Sequence, residues 1–345
     1  MRATAALSAA PKTSVGTPAL HTHQTLALKL ATRIKATGTG ALHVRAFAKI
    51  NLGLKILNRR PDGYHEIRTI YQTLALRDNL QIIVRRSGDE VVLHCDDPGI
   101  SSGRENLVYR ACELWKQARR FRGSIEVALH KRIPTGSGLG GASTDAAATL
   151  LGLERLTGDR LGPAVRFELA ARLGSDVPLF LWGGRVLGCG RGEEVYPLPD
   201  LPSRACLLVY PGFSVSTVEA YREASLRLTQ RRHQLRMNGL GVWPQFSRMD
   251  WGPAENDFEE VVFAKWPELA RLKARLIRAG AETASLTGSG SAVYALFHSV
   301  SSMHSAARLI PPGWRVFWTR TLRRAAYQRL LFREWRRSLG RHLPG

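Results

Sequence analysis

Between residues 131 and 151 the chain reads Lys131-Arg-Ile-Pro-Thr-Gly-Ser-Gly-Leu-Gly-Gly-Ala-Ser-Thr-Asp-Ala-Ala-Ala-Thr-Leu-Leu151, with Gly136, Gly138, Gly140 and Gly141 inside six residues. Glycine lacks a Cβ and tolerates positive φ, so such a backbone can wrap a ligand and point several N–H groups inward. The Ala- and Leu-rich run behind it predicts a helix, whose unpaired amides and positive dipole end fall at the same point. A loop feeding a helix start in this way binds anions, most often phosphates. A plain surface turn would not need small residues continuing into the helix. No Gly-Lys-Ser/Thr closes the loop, which excludes a Walker loop. Gly136, Gly138 and Gly141 satisfy G-x-G-x-x-G, but Pro134 and Thr135 separate them from the expected strand Ser124–His130. The acid at the right distance, Asp159, falls in a loop, so a dinucleotide fold is excluded as well.

With 345 residues and 44% hydrophobic content, the chain can build a large core of one or two domains. No apolar run approaches the roughly 18 residues that span a bilayer, so a soluble protein is expected. The four cysteines (Cys95, Cys112, Cys189, Cys206) are scattered, which suits a reducing compartment rather than a disulfide framework or zinc site. The net charge of +22 raises the question of nucleic acid. Its excess is arginine, densest from Arg320 to Arg341, where eight arginines meet a single acid. No aromatic-interleaved basic patch or DNA-binding motif accompanies it, and a solvated helix face explains it better.

Residues 1–42 contain no Asp or Glu and show no sustained period. They read as an organelle transit peptide, a disordered leader or upstream sequence from a wrong start, and the sequence leaves these open. Accordingly the expected compartment is the bacterial cytoplasm, or a plastid stroma if the leader is a transit peptide. The folded part opens with a strand near Leu42–Leu57, on which Lys49 and Asn51, two apart, share a face. A polar pair in an apolar strand suggests a site. Pro61-Asp-Gly63 is a turn that projects Tyr64 and His65, suited to stacking a base or to plain packing. Strands follow at Leu80–Arg85 and Glu90–Cys95, then helices at Asn106–Arg119 and Pro163–Leu173. Asp176 stands just beyond the second of these, where a helix C-terminus disfavours negative charge, so it is a chemical candidate. After prolines 197, 199 and 202 come a strand Cys206–Tyr210 and a helix Val218–Leu228 bearing Tyr221. Residues 229–253 read as a variable excursion. Helices from Asn256 and over Pro267–Ala279, a second glycine turn in Ala284–Phe297, a strand Trp314–Thr319 and an Arg-rich helix complete the chain.

Three motifs in order, Ala48-Lys-Ile-Asn51, Pro134–Thr144 and Leu286-Thr-Gly-Ser-Gly-Ser291, resemble the kinases named after galactose, homoserine, mevalonate and phosphomevalonate, the GHMP kinases. Within them, Arg60-Pro-Asp-Gly-Tyr-His65 and Leu173-Gly-Ser-Asp-Val-Pro178 resemble the branch that acts on a cytidine-diphosphate-linked methylerythritol. The likeness covers roughly residues 44–325. It implies an α+β, two-lobed fold: a ribosomal-protein-S5-like N-terminal half (43–198) and a ferredoxin-like C-terminal half (203–325), with a basic tail at 326–345. It implies ATP-dependent phosphorylation of the substrate's 2-hydroxyl, in the non-mevalonate isoprenoid pathway, by a monomer or homodimer acting with Mg²⁺. Other GHMP kinases, of the homoserine or mevalonate type, share the loop but not the Asp-Gly-Tyr-His segment. A non-catalytic basic protein that binds nucleic acid on a kinase fold is the alternative of another class.

By the same resemblance Lys49 and Asp176 are catalytic, with Asp176 the general base. Pro134, Thr135, Gly136, Ser137, Gly138, Leu139, Gly140, Gly141, Ala142, Ser143 and Thr144 cradle ATP, with Asn106 and Lys131 near its adenine. Asn51, Tyr64, His65, Thr217, Tyr221, Gly288, Ser289 and Gly290 fall to the substrate. Ala142 and Thr144 depart mildly from the family loop. The Mg²⁺ ligands are not assigned; Ser143 and Asp145 are candidates, and Asp145 reads equally as a helix-start carboxylate.

Overall fold

An antiparallel ribbon, β1 (Ala41–Arg59) with β2 (His65–Arg85), runs through both lobes. At about 3.3 Å per residue β1 is roughly 60 Å long, enough to enter every core of the protein. Val44 and Ala46 pack in the first core, Ala48, Ile50 and Leu52 in a second between the lobes, and Leu54 and Ile56 in a third. Register shifts after Phe47, Asn51 and Ile56 bend the ribbon as it passes from one core to the next. The computed structural model describes residues 41–225 and 254–332.

The N-terminal lobe adds β3 (Val91–Cys95), α1 (Leu107–Arg119), β4 (Ser124–His130), α2 (Gly141–Thr157), α3 (Pro163–Leu173), the short α4 (Leu179–Trp182), β5 (Arg185–Cys189) and β6 (Glu194–Pro197). Its six-stranded sheet has the order β3-β4-β2-β5-β6, with β1 also on β2. Only the β3–β4 pair is parallel. Helix α2 lies directly on this sheet: a Cβ at Gly152 would come within 2.6 Å of Ile82. The sequence reading found the end of β2 but not its first half. There Thr69, Gln72, Thr73 and Asp78 are buried and interrupt the apolar pattern. Each is satisfied by a backbone group, as when Gln72 Nε2 donates to the Leu322 carbonyl (2.7 Å), so burial left no hydrophobic signature.

The C-terminal lobe comprises β7 (Ala205–Tyr210), α5 (217–225 as far as described), α6 (Glu259–Lys265), α7 (Pro267–Arg278), β8 (Thr283–Leu286), β9 (Val293–Phe297), α8 (Val300–Ala307) and β10 (Arg315–Arg320). Its sheet is antiparallel, ordered β10-β7-β9-β8. Strand alternation divides its faces: Leu207, Val209, Val293, Ala295 and Phe297 pack under the helices, while Cys206, Leu208, Tyr294 and Leu296 face β1 and β2. Helix α8, capped by Ser299, was missed because its serines and histidine weaken the period. The end of the expected helix Val218–Leu228 and the excursion 229–253 lie outside the described residues.

Helix α9 (Arg324–Leu331) returns to the first lobe, where Leu322, Tyr327 and Leu331 join its core. The expected start of a basic tail at 326 therefore falls inside a packed helix. Of the first arginines of the Arg-rich end, Arg320, Arg323 and Arg329 are exposed, as expected of a solvated face, while Arg324 is half-buried. Arg324 Nη2 donates to the carbonyls of Arg185 (2.8 Å) and Leu198 (3.1 Å), and Arg323 Nε to that of Leu201 (3.3 Å). The rest of the tail and residues 1–40 of the leader lie outside the described residues.

Candidate functional site

The glycine loop runs from the end of β4 into α2. Gly136, Gly138 and Gly140 have φ of +67°, +83° and +73°. Gly140 is the N-cap of α2, where no side chain caps the helix and no acid occupies the first turn. The positive end of α2 is thus left for an external anion. The second glycine turn braces the loop from behind: Ala292 N donates to Ser137 O (3.3 Å), and Thr287 Oγ1 to Gly138 O (3.2 Å). Contact is so close that a Cβ on Gly138 would lie 2.0 Å from Thr287 O, and one on Gly290 2.2 Å from the Ser137 carbonyl carbon. Gly290, expected at the substrate, therefore supports the loop instead, while Gly288 and Ser289 line the acceptor cavity.

A groove of about 340 Å³ follows the loop, lined by Asn106, Lys131, Pro134 to Ser143 and Asp145. Thr144 sits behind it, buried, its hydroxyl without a partner among the described residues. Leu139 is also buried, and its carbonyl accepts from Lys49 N (3.0 Å), fastening the loop to β1. Asn106 uses its Oδ1 to cap α1 through Val108 N (2.9 Å). Lys131 Nζ is held between two carboxylates, Asp78 Oδ2 at 2.5 Å and Asp145 Oδ2 at 2.7 Å. Asp78 Oδ1 also accepts from the amides of Arg132 and Ile133. Burial and the neighbouring Asp78 push the Asp145 carboxyl up to about 8. Burial would lower Lys131, but its two carboxylates outweigh this and hold it above the ordinary lysine range. The adenine-side lysine of the sequence reading is thus the centre of an ion triad.

The larger cavity, about 870 Å³, opens on the other side of Ser143, which lines both spaces. That volume suits a ligand the size of a nucleotide derivative. At its inner end Lys49 Nζ lies 3.1 Å from Asp176 Oδ2 and donates to Asn51 Oδ1 (2.7 Å). Asn51 Nδ2 donates in turn to Thr69 Oγ1 (2.7 Å). Both side-chain ends of Asn51 are engaged, so it aims Lys49. Lys49 is 4% exposed and Asp176 29%; both line the cavity, and the carboxylate is its more open member. Tyr71, buried on β2, donates its hydroxyl to Asp176 Oδ1 (2.9 Å). Nothing in the sequence distinguished that tyrosine from a core residue.

At the outer end the turn presents Tyr64, with Tyr64 N on Asp62 Oδ1 (3.1 Å) and the Arg191 guanidinium 4.8 Å above its ring. His65 stacks on Tyr221 (centroids 5.0 Å, 18°), and Tyr221 meets Phe258 edge-on. Burial, with Arg59 nearby, lowers His65 below the usual histidine value. Thr217 Oγ1 and Ser289 Oγ meet at 2.9 Å on the rim. The sequence reading missed Arg59, Arg191 and Arg222, which line the same cavity and give it three cations for an anionic ligand. The arrangement is a phosphate cradle and an acceptor cavity that meet at Ser143, with a lysine–aspartate pair on the acceptor side. That is the equipment of phosphoryl transfer to an alcohol.

Comparison with known proteins agrees. Residues 106–184 match the model of the GHMP kinases N-terminal domain, and residues 243–308 that of the GHMP kinases C-terminal domain. The 4-diphosphocytidyl-2-C-methyl-D-erythritol kinase of Solibacter usitatus (strain Ellin6076) is 42% identical over 306 residues, covering 87% of this chain and 93% of the relative. That of Pelotomaculum thermopropionicum is 38% identical, covering 80% and 96%. A crystal structure of 4-(cytidine 5'-diphospho)-2C-methyl-D-erythritol kinase superposes with a TM-score of 0.65 at 33% identity, covering 81% and 99%. Fold and site define a GHMP-type small-molecule kinase, an ATP-dependent phosphotransferase. The chain belongs to the 4-diphosphocytidyl-2-C-methyl-D-erythritol kinase family. Among the described residues no helix is long and apolar enough to cross a membrane.

Proposed function

We propose that the protein transfers the γ-phosphoryl group of ATP to the 2-hydroxyl of 4-diphosphocytidyl-2-C-methyl-D-erythritol, giving the 2-phosphate and ADP. The observation that carries this reading is the Lys49–Asp176 pair facing a nucleotide-sized cavity beside the phosphate loop. The loop Pro134–Thr144 and the start of α2 hold the ATP phosphates, with Asn106 and the Lys131 triad beyond them. Asp176 accepts the proton of the acceptor hydroxyl as its oxygen bonds to phosphorus, and the β–γ bridging oxygen leaves with ADP. Lys49 holds the Asp176 carboxylate in place and offsets charge on the transferring group. Tyr64, His65 and Tyr221 form the aromatic end for the cytosine, and Arg59, Arg191 and Arg222 face the diphosphate.

Mg²⁺, which takes few protein ligands and keeps several waters, fits the donors present. Ser143 stands where the two spaces meet, and Asp145 Oδ1 is buried without a partner among the described residues. Bound there with ATP, the ion supplies neutralisation of phosphate charge. We place the enzyme in the bacterial cytoplasm, consistent with relatives such as that of Solibacter usitatus. The test is ADP release with a panel of acceptors: the cytidine-diphosphate-linked methylerythritol, mevalonate and homoserine. Turnover with the first alone is expected; turnover with mevalonate or homoserine instead overturns the substrate assignment.

A further inference from the structure

Asp176 is gripped by two donors from neighbouring strands. Lys49 Nζ holds Oδ2 at 3.1 Å and Tyr71 Oη holds Oδ1 at 2.9 Å. In the β1–β2 register Tyr71 lies opposite Asn51 and Lys49 opposite Thr73, so Lys49 and Tyr71 are diagonal neighbours on one face. The Lys49 ammonium accordingly sits 5.4 Å from the Tyr71 ring centroid. The ring itself is 1% exposed and seated by two glycines. A Cβ on Gly188 would come within 2.5 Å of its Cε2, and one on Gly192 within 2.5 Å of its hydroxyl. The chain thus keeps side chains out of the space the phenol needs. A core tyrosine wanting only a partner for its hydroxyl would be served by any carbonyl; this one ends on the carboxylate that faces the acceptor.

We propose that Tyr71 is a positioning residue for Asp176: its hydroxyl, acting from β2 while Lys49 acts from β1, locks the carboxylate plane so that its remaining lone pairs point into the acceptor cavity. The assignment rests on the reading of Asp176 as the base. Tyr71 does not take the proton itself. Burial, with the charge of Asp176 beside it, holds its hydroxyl well above the usual tyrosine value, so it remains a donor at any working pH.

The test is Tyr71→Phe, which keeps the ring and deletes the hydroxyl, assayed with ATP and the methylerythritol substrate beside Asp176→Asn. A hydrogen bond to a charged group is commonly worth about a ten-fold effect. The kcat of Tyr71→Phe should fall by roughly that factor while both KM values stay within about two-fold. In an Asp176→Asn background, Tyr71→Phe should change turnover no further. An inactive Asp176→Asn together with a Tyr71→Phe of unchanged kcat overturns the role of Tyr71 alone. A fully active Asp176→Asn overturns the base reading, and this inference with it. A Tyr71→Phe that loses melting temperature but keeps kcat per folded molecule shows packing only, and overturns the proposal.

Discussion

Two lysines approach the start of α2, each toward an aspartate, and each passes a glycine that makes room for it. A Cβ on Gly140 would lie 3.1 Å from Lys49 Cγ, and one on Gly141 3.3 Å from Lys131 Nζ. Lys49 has one carboxylate, Asp176, and that carboxylate opens on a cavity. Lys131 has two, Asp78 and Asp145, both buried from solvent, of which Asp145 lines the phosphate groove. The difference separates chemistry from construction. A one-to-one pair with a partly exposed acid leaves lone pairs for a substrate. A cation shared by two buried acids has its charge consumed, and Asp78 spends its other oxygen pinning residues 132 and 133 at the entry to the phosphate loop. Residue type alone does not distinguish the two centres; stoichiometry and exposure do.

The comparison breaks most readily at Asp176. Asp176→Asn keeps the shape but has one acceptor oxygen in place of two and cannot accept a proton, and base catalysis contributes about 10²–10⁴-fold. Turnover should fall within that range, with ATP binding and melting temperature little changed. Lys131→Met should do the reverse. It leaves two buried carboxylates without their cation, a loss of about 3–5 kcal/mol when one member of a buried ion pair is removed. Melting temperature should drop by many degrees and KM for ATP should rise, while kcat of the folded fraction persists. A Lys131→Met enzyme as stable as the wild type would contradict the structural assignment.

The smallest effect sharpens the triad itself. The Asp145 carboxyl, ordinarily near 3.8, is raised to about 8 in the folded protein. Between those values the folded state binds more protons than the unfolded one. Its contribution to stability is therefore complete below the lower value and is lost as pH rises through the upper. Without nucleotide or Mg²⁺, the wild-type melting temperature should decline from about pH 5 to pH 8 more steeply than that of Asp145→Asn, which has no proton to lose. Parallel curves for the two proteins would show that Asp145 does not titrate there.

These two centres also mark where the sequence was legible. The phosphate loop could be read because backbone geometry demands glycine, and glycine spacing is visible in one dimension. Asp176 stood out because its place after a helix C-terminus had no structural use. Lys49 and Asn51 were paired by strand period, and the structure joins them at 2.7 Å. The triad was invisible because Asp78 meets Lys131 across 53 residues and sits in a stretch of β2 whose buried polar residues hid the strand. Arg191 and Tyr71 reach the cavity through the β5–β6 turn and the β2 face, and no local pattern reports such a meeting. Gly290 was assigned to the substrate by the look of its motif, whereas its lack of a side chain serves the back of the phosphate loop.

The central claim is that Lys49 and Asp176 act as one chemical unit rather than as an ion pair bracing two elements. It is tested most directly by a double-mutant cycle, Lys49→Ala with Asp176→Asn, measuring turnover and melting temperature on the same preparations. The account predicts that each single variant loses turnover steeply, that the double loses far less than the product of the two, and that melting temperatures stay close together. Single variants that melt early yet turn over normally per folded molecule would contradict it.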